Sequence, residues 1–205
     1  YVTSPAMTPG QMEEAIQAGR GAVAALHDEG IRALCLGELG IGNTASAAAL
    51  LAALSGRAVE DVTGRGTGLD DKGVAEKASI ISQALQRCSG SHTNPRELLQ
   101  EVGGLELAAM VGAVFEASER RVAVLVDGFI SGAAALAALR MDPSVSRALF
   151  CVHKSAEAGG AALLEALGQP APPLDLKLRL GEATGAILGA PLLKSAAALM
   201  TMASL

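Results

Sequence analysis

The chain has no tryptophan, one tyrosine and three phenylalanines among 205 residues. A core of stacked aromatic rings is therefore excluded. Half of the residues are nevertheless apolar, so the interior must be built from Ala, Leu, Val and Ile. Such small side chains let helices lie close to a sheet. Cysteine is scarce too. Cys35, Cys88 and Cys151 are odd in number, far apart and in no CxxC or Cys/His cluster. That excludes a disulfide framework and argues against a zinc or other metal site. Cys35 and Cys151 fall in apolar runs, where buried thiols are ordinary, and this usage suits a reducing cytoplasm. Basic residues are outnumbered, 16 against 21 acidic, for a net charge of −5. Neither nucleic acid nor an anionic membrane is expected as the main partner. A local positive site for one small phosphate is still compatible with that balance. No signal peptide is read at the start of the chain. The longest strongly apolar stretch, Ala45 to Leu54, is too short to cross a bilayer.

What is present is an alternation of apolar runs, glycine turns and alanine-rich helical segments. Thr8-Pro9 with Gln11 reads as a helix start, followed by a face of Met12, Ile16, Ala22, Val23 and Leu26 and a stop at Gly30. Residues 31–36 read as a buried strand, 37–44 as a loop and 45–54 as a helix. Helices are expected over 72–88, from Pro95, over "LELAAMVGAVFEASER" and over "ISGAAALAALRM". "VAVLVDGF" is the clearest strand, and "RALFCVH" is another. The chain closes on a loop and a helix interrupted at Pro191. Strands that are apolar throughout and alternate with helices imply a parallel sheet covered on both faces, an α/β fold. Loops after the strands then gather on one sheet edge, where ligands bind. No linker divides the chain, which reads as a single domain.

Several short motifs fall on that edge. "GELGIGNT", from Gly37 to Thr44, has the frame of a P-loop but carries Asn43 where the lysine belongs. That disfavours triphosphate hydrolysis, because the lysine neutralises the β and γ phosphates. Two readings remain for it: an anion cradle of backbone amides, or a tight turn with Asn43 or Thr44 as helix cap. "TGRGTGLDD" is either a second loop at the ligand or a connection in which Asp70 or Asp71 caps the next helix. Lys77 would ordinarily be solvated. Asp127 ends the best strand, so it faces the crevice or caps the helix after it. Ser155 in "CVHKSAE" is a phosphate donor or a cap rather than a nucleophile, since His153 at i−2 is poorly placed as its base and no nucleophile elbow exists. His27 and His92 lie in surface stretches and carry no role. Glu182 in "RLGEATGA" is either a helix-start acid or a general base, the second requiring partial burial to raise its pKa.

Taken together, "GELGIGNTASAAALLAAL", "GRGTGLDD", "GGLELAAMVGA", "VLVDGFISGAAAL", "HKSAEAGG" and "LRLGEATGA" resemble, in order and over essentially the whole chain, the nicotinate-nucleotide–dimethylbenzimidazole phosphoribosyltransferases. The resemblance implies a Rossmann-like three-layer α/β/α fold with a parallel sheet and a small helical domain, to which the helix at about 184–205 would belong. It implies transfer of phosphoribose from nicotinate mononucleotide to 5,6-dimethylbenzimidazole, giving α-ribazole phosphate and nicotinate for the lower ligand of cobalamin. It also implies a cytoplasmic homodimer without metal or other cofactor. Carried over by motif, Glu182 is the base and Glu38 a second acid. The phosphate sits on amides near Gly40, Gly42 and Gly181 with Lys77 and Ser155 as donors, and Asn43, Arg179 and Leu180 lie nearby. The family protein is considerably longer on the N-terminal side. Two motifs depart from its pattern: "GNTAS" stands for "GNTT", and "GEATG" for "GEGSG" or "GEGTG", which adds the Ala183 side chain beside Glu182.

Overall fold

The structure is a computed structural model that describes residues 1–91 and 93–203. His92, Ser204 and Leu205 lie outside the described residues, and with them the end of the helix expected to reach 205. Three strands, β1 (Ala33–Leu36), β2 (Ala123–Val126) and β3 (Leu149–Cys151), form one parallel sheet in the order β1-β2-β3. Ala33 pairs with Ala123 and Leu36 with Val126, while Val124 pairs with Leu149 and Val126 with Cys151. Each strand is shorter than its apolar run: β1 and β2 begin pairing after Arg32 and Val122, and β3 spans only three residues.

Helices cover both faces, and side-chain alternation decides which. Val124, Val126 and Leu36 join the main core with α2 (Asn43–Ser55), α6 (Leu105–Glu119) and α7 (Phe129–Met141). Leu125 and Val152 point the other way, into a small cluster with Ala183 and Ala186 on α9 (Thr184–Ala203) and the turn before it. Period-two packing therefore gives the expected three layers. The remaining helices are α1 (Pro9–Asp28), α3 (Val59–Val62), α4 (Asp71–Arg87), α5 (Pro95–Val102) and α8 (Gly160–Ala166). Alanine makes this possible: the α2 alanines Ala47, Ala48 and Ala49 and most α7 alanines are fully buried. A bulkier residue there would hold the helices off the sheet.

Some local expectations are met and others revised. Thr8 caps α1 through a reciprocal pair with Gln11, and Asp70 caps α4 by accepting from the Gly73 amide at 2.8 Å. The buried stripe of α1 is Met12, Ile16, Gly19 and Val23 rather than one containing Ala22 and Leu26. The reason is Gly19, which packs against the α6 backbone at Ala109 and Ala113, while Gly112 of α6 packs against the backbone of Ile16. The two helices touch backbone to backbone, Ala22 falls to the side of that seam, and Leu26, near the end of α1, is 37% exposed. The C-terminal helix does not break at Pro191 but runs through it. The 19 residues Thr184–Met202 have mean hydropathy 1.4, long and apolar enough to cross a membrane by length and composition alone. This corrects Ala45–Leu54 as the longest apolar stretch. The first half of α9 lies on the sheet, with Gly189 against Val152, whereas Leu199, Met200 and Met202 are exposed.

A Cβ at Gly112 would overlap the carbonyl of Ile16. Backbone carbonyls cannot rotate aside, so Gly112→Ala is expected to cost about 2–3 kcal/mol. Denaturant unfolding should show that loss, and an unchanged midpoint would refute the close crossing.

Candidate functional site

The parallel sheet brings its three C-terminal ends to one edge. Gly37 and Glu38 follow β1, Asp127 follows β2, and His153 and Ser155 follow β3. All of them line one cavity of about 440 Å³, a volume suited to a small ligand. Gly40, Gly42, Asn43, Lys77, Arg179, Leu180 and Gly181 line the same cavity. Sequence reasoning thus placed ten of its eleven candidates on a common surface. The eleventh, Glu182, is not part of the lining. Its side chain is exposed at the rim, between Gly181 and Thr184, which do line the cavity. The partial burial that a base reading asks for is not supplied by the described residues.

The glycine loop differs from either simple turn. Neither Asn43 nor Thr44 caps α2. The cap position is Gly42, left-handed at φ 91°, and no side chain occupies the first amides of the helix. Asn43 instead donates to the Glu38 carboxylate, which fixes the loop across its mouth. Thr44 accepts from the Lys77 ammonium at 2.7 Å, and the Gly64 carbonyl accepts from the same nitrogen at 3.1 Å. Lys77 is therefore not the solvated lysine of a surface helix. It is half-buried, and burial lowers its pKa against the opposing pull of Glu157.

Charge is sorted within the cavity. Lys77, Arg65 and Arg179 gather around the loop at 64–66, where Arg179 donates to the Gly66 carbonyl at 2.8 Å and lies 3.5 Å from Glu157. The "TGRGTGLDD" segment is thus a second wall of the site as well as a helix cap. Glu157 sits among these cations, and the other lining carboxylates, Glu38 and Asp127, gather at the other end. Burial raises the pKa of Glu38, the Asn43 amide opposes this, and the negative charges of Glu106, Asp127 and Glu182 raise it further. Asp127, 6% exposed, is also raised by burial, although the amides of Ala186 and Gly185 and the nearby His153 favour its charged form. A dianionic group fits the first end, and a group that carries or releases a proton fits the second.

The carboxylate end owes its shape to one turn. Gly181, Glu182 and Ala183 are all left-handed, with φ of 77°, 58° and 58°. The Glu182 amide donates to the Glu38 carbonyl at 3.0 Å. A Cβ on Gly37 would overlap the backbone of Ala183, so only glycine lets the two segments meet. Sequence reasoning missed Thr44 and Glu157, which line the cavity, and Glu106, whose charge reaches Glu38 from outside the lining. The P-loop frame already pointed to Thr44, but nothing local marks Glu157 or Glu106, which arrive through packing. Ser155 accepts from the Glu157 amide at 3.3 Å, a local cap that leaves its proton free for a ligand. The thiols are poor nucleophiles here: burial raises all three, and pushes Cys151 up to about 12. Among the described residues, no group of three or more His, Cys, Asp or Glu could hold a metal ion.

A three-layer α/β domain with glycine loops, a cation cluster and acids at one sheet edge has the layout of domains that take a small ligand at the carboxyl ends of their strands. The chain belongs to the phosphoribosyltransferase family whose model matches residues 1–205. It is 47% identical over 199 residues to a nicotinate-nucleotide–dimethylbenzimidazole phosphoribosyltransferase of Dechloromonas aromatica, covering 96% of this chain and 57% of that protein. It is 42% identical over 196 residues to a protein of the same name from Roseiflexus sp., covering 96% and 55%. The crystal structure of CobT from Thermus thermophilus superposes with a TM-score of 0.91 at 45% identity, covering 96% of this chain and 58% of that one. The chain thus spans somewhat more than half the length of the relatives it matches.

Glu38 carries a raised pKa among like charges. A carboxylate with a folded pKa above its unfolded value stabilises the fold at low pH and less as pH rises through that value. The stability of Glu38→Gln relative to the unsubstituted protein is therefore expected to improve as pH rises from about 4 to 7. Thermal unfolding across that range checks this, and a constant difference would mean that neither burial nor its acidic neighbours raise Glu38.

Proposed function

We propose that the site transfers the phosphoribosyl group of nicotinate mononucleotide to 5,6-dimethylbenzimidazole, releasing nicotinate and forming α-ribazole phosphate for cobalamin. The observation that carries this reading is the sorting of charge within one cavity: cations around residues 64–66 and acids around residues 37–38 and 181–183. Lys77, Thr44 and Ser155 would hold the monophosphate with the amides of Gly40 and Gly42, while Gly181, beside the Glu38 carboxylate, lines the acid end. A monophosphate has no β or γ group, so the glycine loop needs no P-loop lysine of its own. The names of the similar proteins supply the two substrates.

The chemistry asks for little more. The pyridine nitrogen of nicotinate mononucleotide is cationic and leaves as a neutral ring, so no general acid is required. As one benzimidazole nitrogen attacks C1′ from the opposite face, positive charge develops on the ring. Glu182 at the rim accepts the proton from the other nitrogen, and Glu38 stabilises the charge. The exposed Glu182 would be covered by the bound base or by residues outside this span. The exposed apolar residues on the second half of α9 fit its assignment to a small helical domain, and the protein is read as a cytoplasmic homodimer acting on small molecules, without cofactor.

A second reading has its own support, because Glu182 is exposed rather than partly buried as a base would be. In it the chain binds nucleotide without turning it over. Chromatography separates the two. The transferase reading expects α-ribazole phosphate from the two substrates, and a loss of at least about 100-fold in kcat for Glu182→Gln with nucleotide binding kept. Calorimetric binding without any product would support the module instead, and unchanged turnover in Glu182→Gln would remove Glu182 as the base.

A further inference from the structure

Asp127 is buried where no local task explains a carboxylate. It does not cap α7, whose first turn has no side-chain cap; Ser131 reaches back instead, its hydroxyl accepting from the amides of Asp127 and Gly128, each at 3.1 Å. Its carboxylate turns away from α7 and crosses the sheet edge to α9. Oδ1 accepts from the Ala186 amide at 3.0 Å, and the Gly185 amide faces it as well. A buried carboxylate is costly unless hydrogen bonds compensate, so these amides account for its presence. The other titratable groups facing it are Cys35 of β1, Glu38 after β1 and His153 after β3.

The contact lies two residues beyond a strained turn. Glu182 and Ala183 are left-handed without being glycine, a conformation that residues with a Cβ adopt only at a cost. Such strain persists only where the surroundings over-determine it. On one side the Glu182 amide is bonded to the Glu38 carbonyl. On the other, His153 packs so closely under Gly185 that a Cβ there would lie 2.6 Å from its ring. Between them, Asp127 ties down the first turn of α9.

We propose that Asp127 is a positioning residue. By binding the amides of Gly185 and Ala186 it locks the left-handed turn, and so aims the Glu182 carboxylate over the cavity mouth. Its effect on turnover passes through the backbone, and rests on the reading of Glu182 as proton acceptor. Its hold on the turn does not.

Two measurements test this. Hydrogen exchange reads the hold directly: in Asp127→Asn and Asp127→Ala the amides of Gly185 and Ala186 should exchange at least about tenfold faster, with those of β2 little changed. Unchanged exchange at both residues overturns the proposal. Asp127→Asn keeps the shape of the side chain, so it serves if Asp127→Ala fails to fold. Kinetics reads the consequence. Asp127→Asn should lower kcat at least about tenfold with the KM for nicotinate mononucleotide within about twofold. In a Glu182→Gln background the same substitution should cost less than about twofold, because the group it aims is already gone. Equal losses in both backgrounds would overturn action through Glu182. A protein with no turnover at all would count against the reading of Glu182, leaving exchange to decide whether Asp127 holds the turn.

Discussion

The contact between the loop after β1 and the turn before α9 is the constraint on which the site depends. Glu38 and Glu182 are far apart in sequence, yet the amide of one bonds the carbonyl of the other. That meeting requires Gly37, whose missing Cβ makes room for the Ala183 backbone. It also requires three consecutive left-handed residues, held by bonds from two strand ends. The sheet supplies the rigidity: β1 and β2 are adjacent and parallel, so Gly37 and Asp127 emerge at the same level. Without that pairing the turn would have nothing to close against.

The rest of the cavity follows from how the chain returns to this edge. The "GRGTG" segment brings Arg65 and Gly66 opposite the glycine loop, and α4 presents Lys77 between them. The three cations gather at the 64–66 loop with Glu157 among them, while Glu38 and Glu182 meet where 37–38 contacts 181–183. A ligand that is anionic at one end and titratable at the other would meet complementary groups at both. Burial shifts both Lys77 and Glu38 toward their neutral forms.

Much of the fold was legible in the sequence. The β-branched run at 122–126, the capping signals at Thr8 and Asp70, and the alanine-rich helices each state a local preference that the fold obeys. What could not be read locally came from tertiary contact. The rotation of α1 is set by Gly19 meeting α6, and no periodicity in α1 announces that partner. Pro191 continues a helix because its first half is already anchored to the sheet. In the site, the glycine and acid positions were visible because loops after strands are few. The roles of Lys77 and Asp127 were not. A lysine on a helix and a carboxylate after a strand look alike whether they face solvent, a cap or another loop, and only the fold shows that Thr44 and Ala186 are their partners. Glu182 was legible as a motif residue, but its left-handed backbone was not, because Ala183 hides a position where glycine would have signalled it.

The most direct test of the account is a crystal structure with nicotinate mononucleotide bound. Its phosphate should lie within hydrogen-bond reach of the Lys77 ammonium and the Thr44 hydroxyl, with C1′ and the nicotinate ring turned toward Glu38 and Glu182. A nucleotide bound outside this cavity, or with its phosphate among the carboxylates, would contradict it.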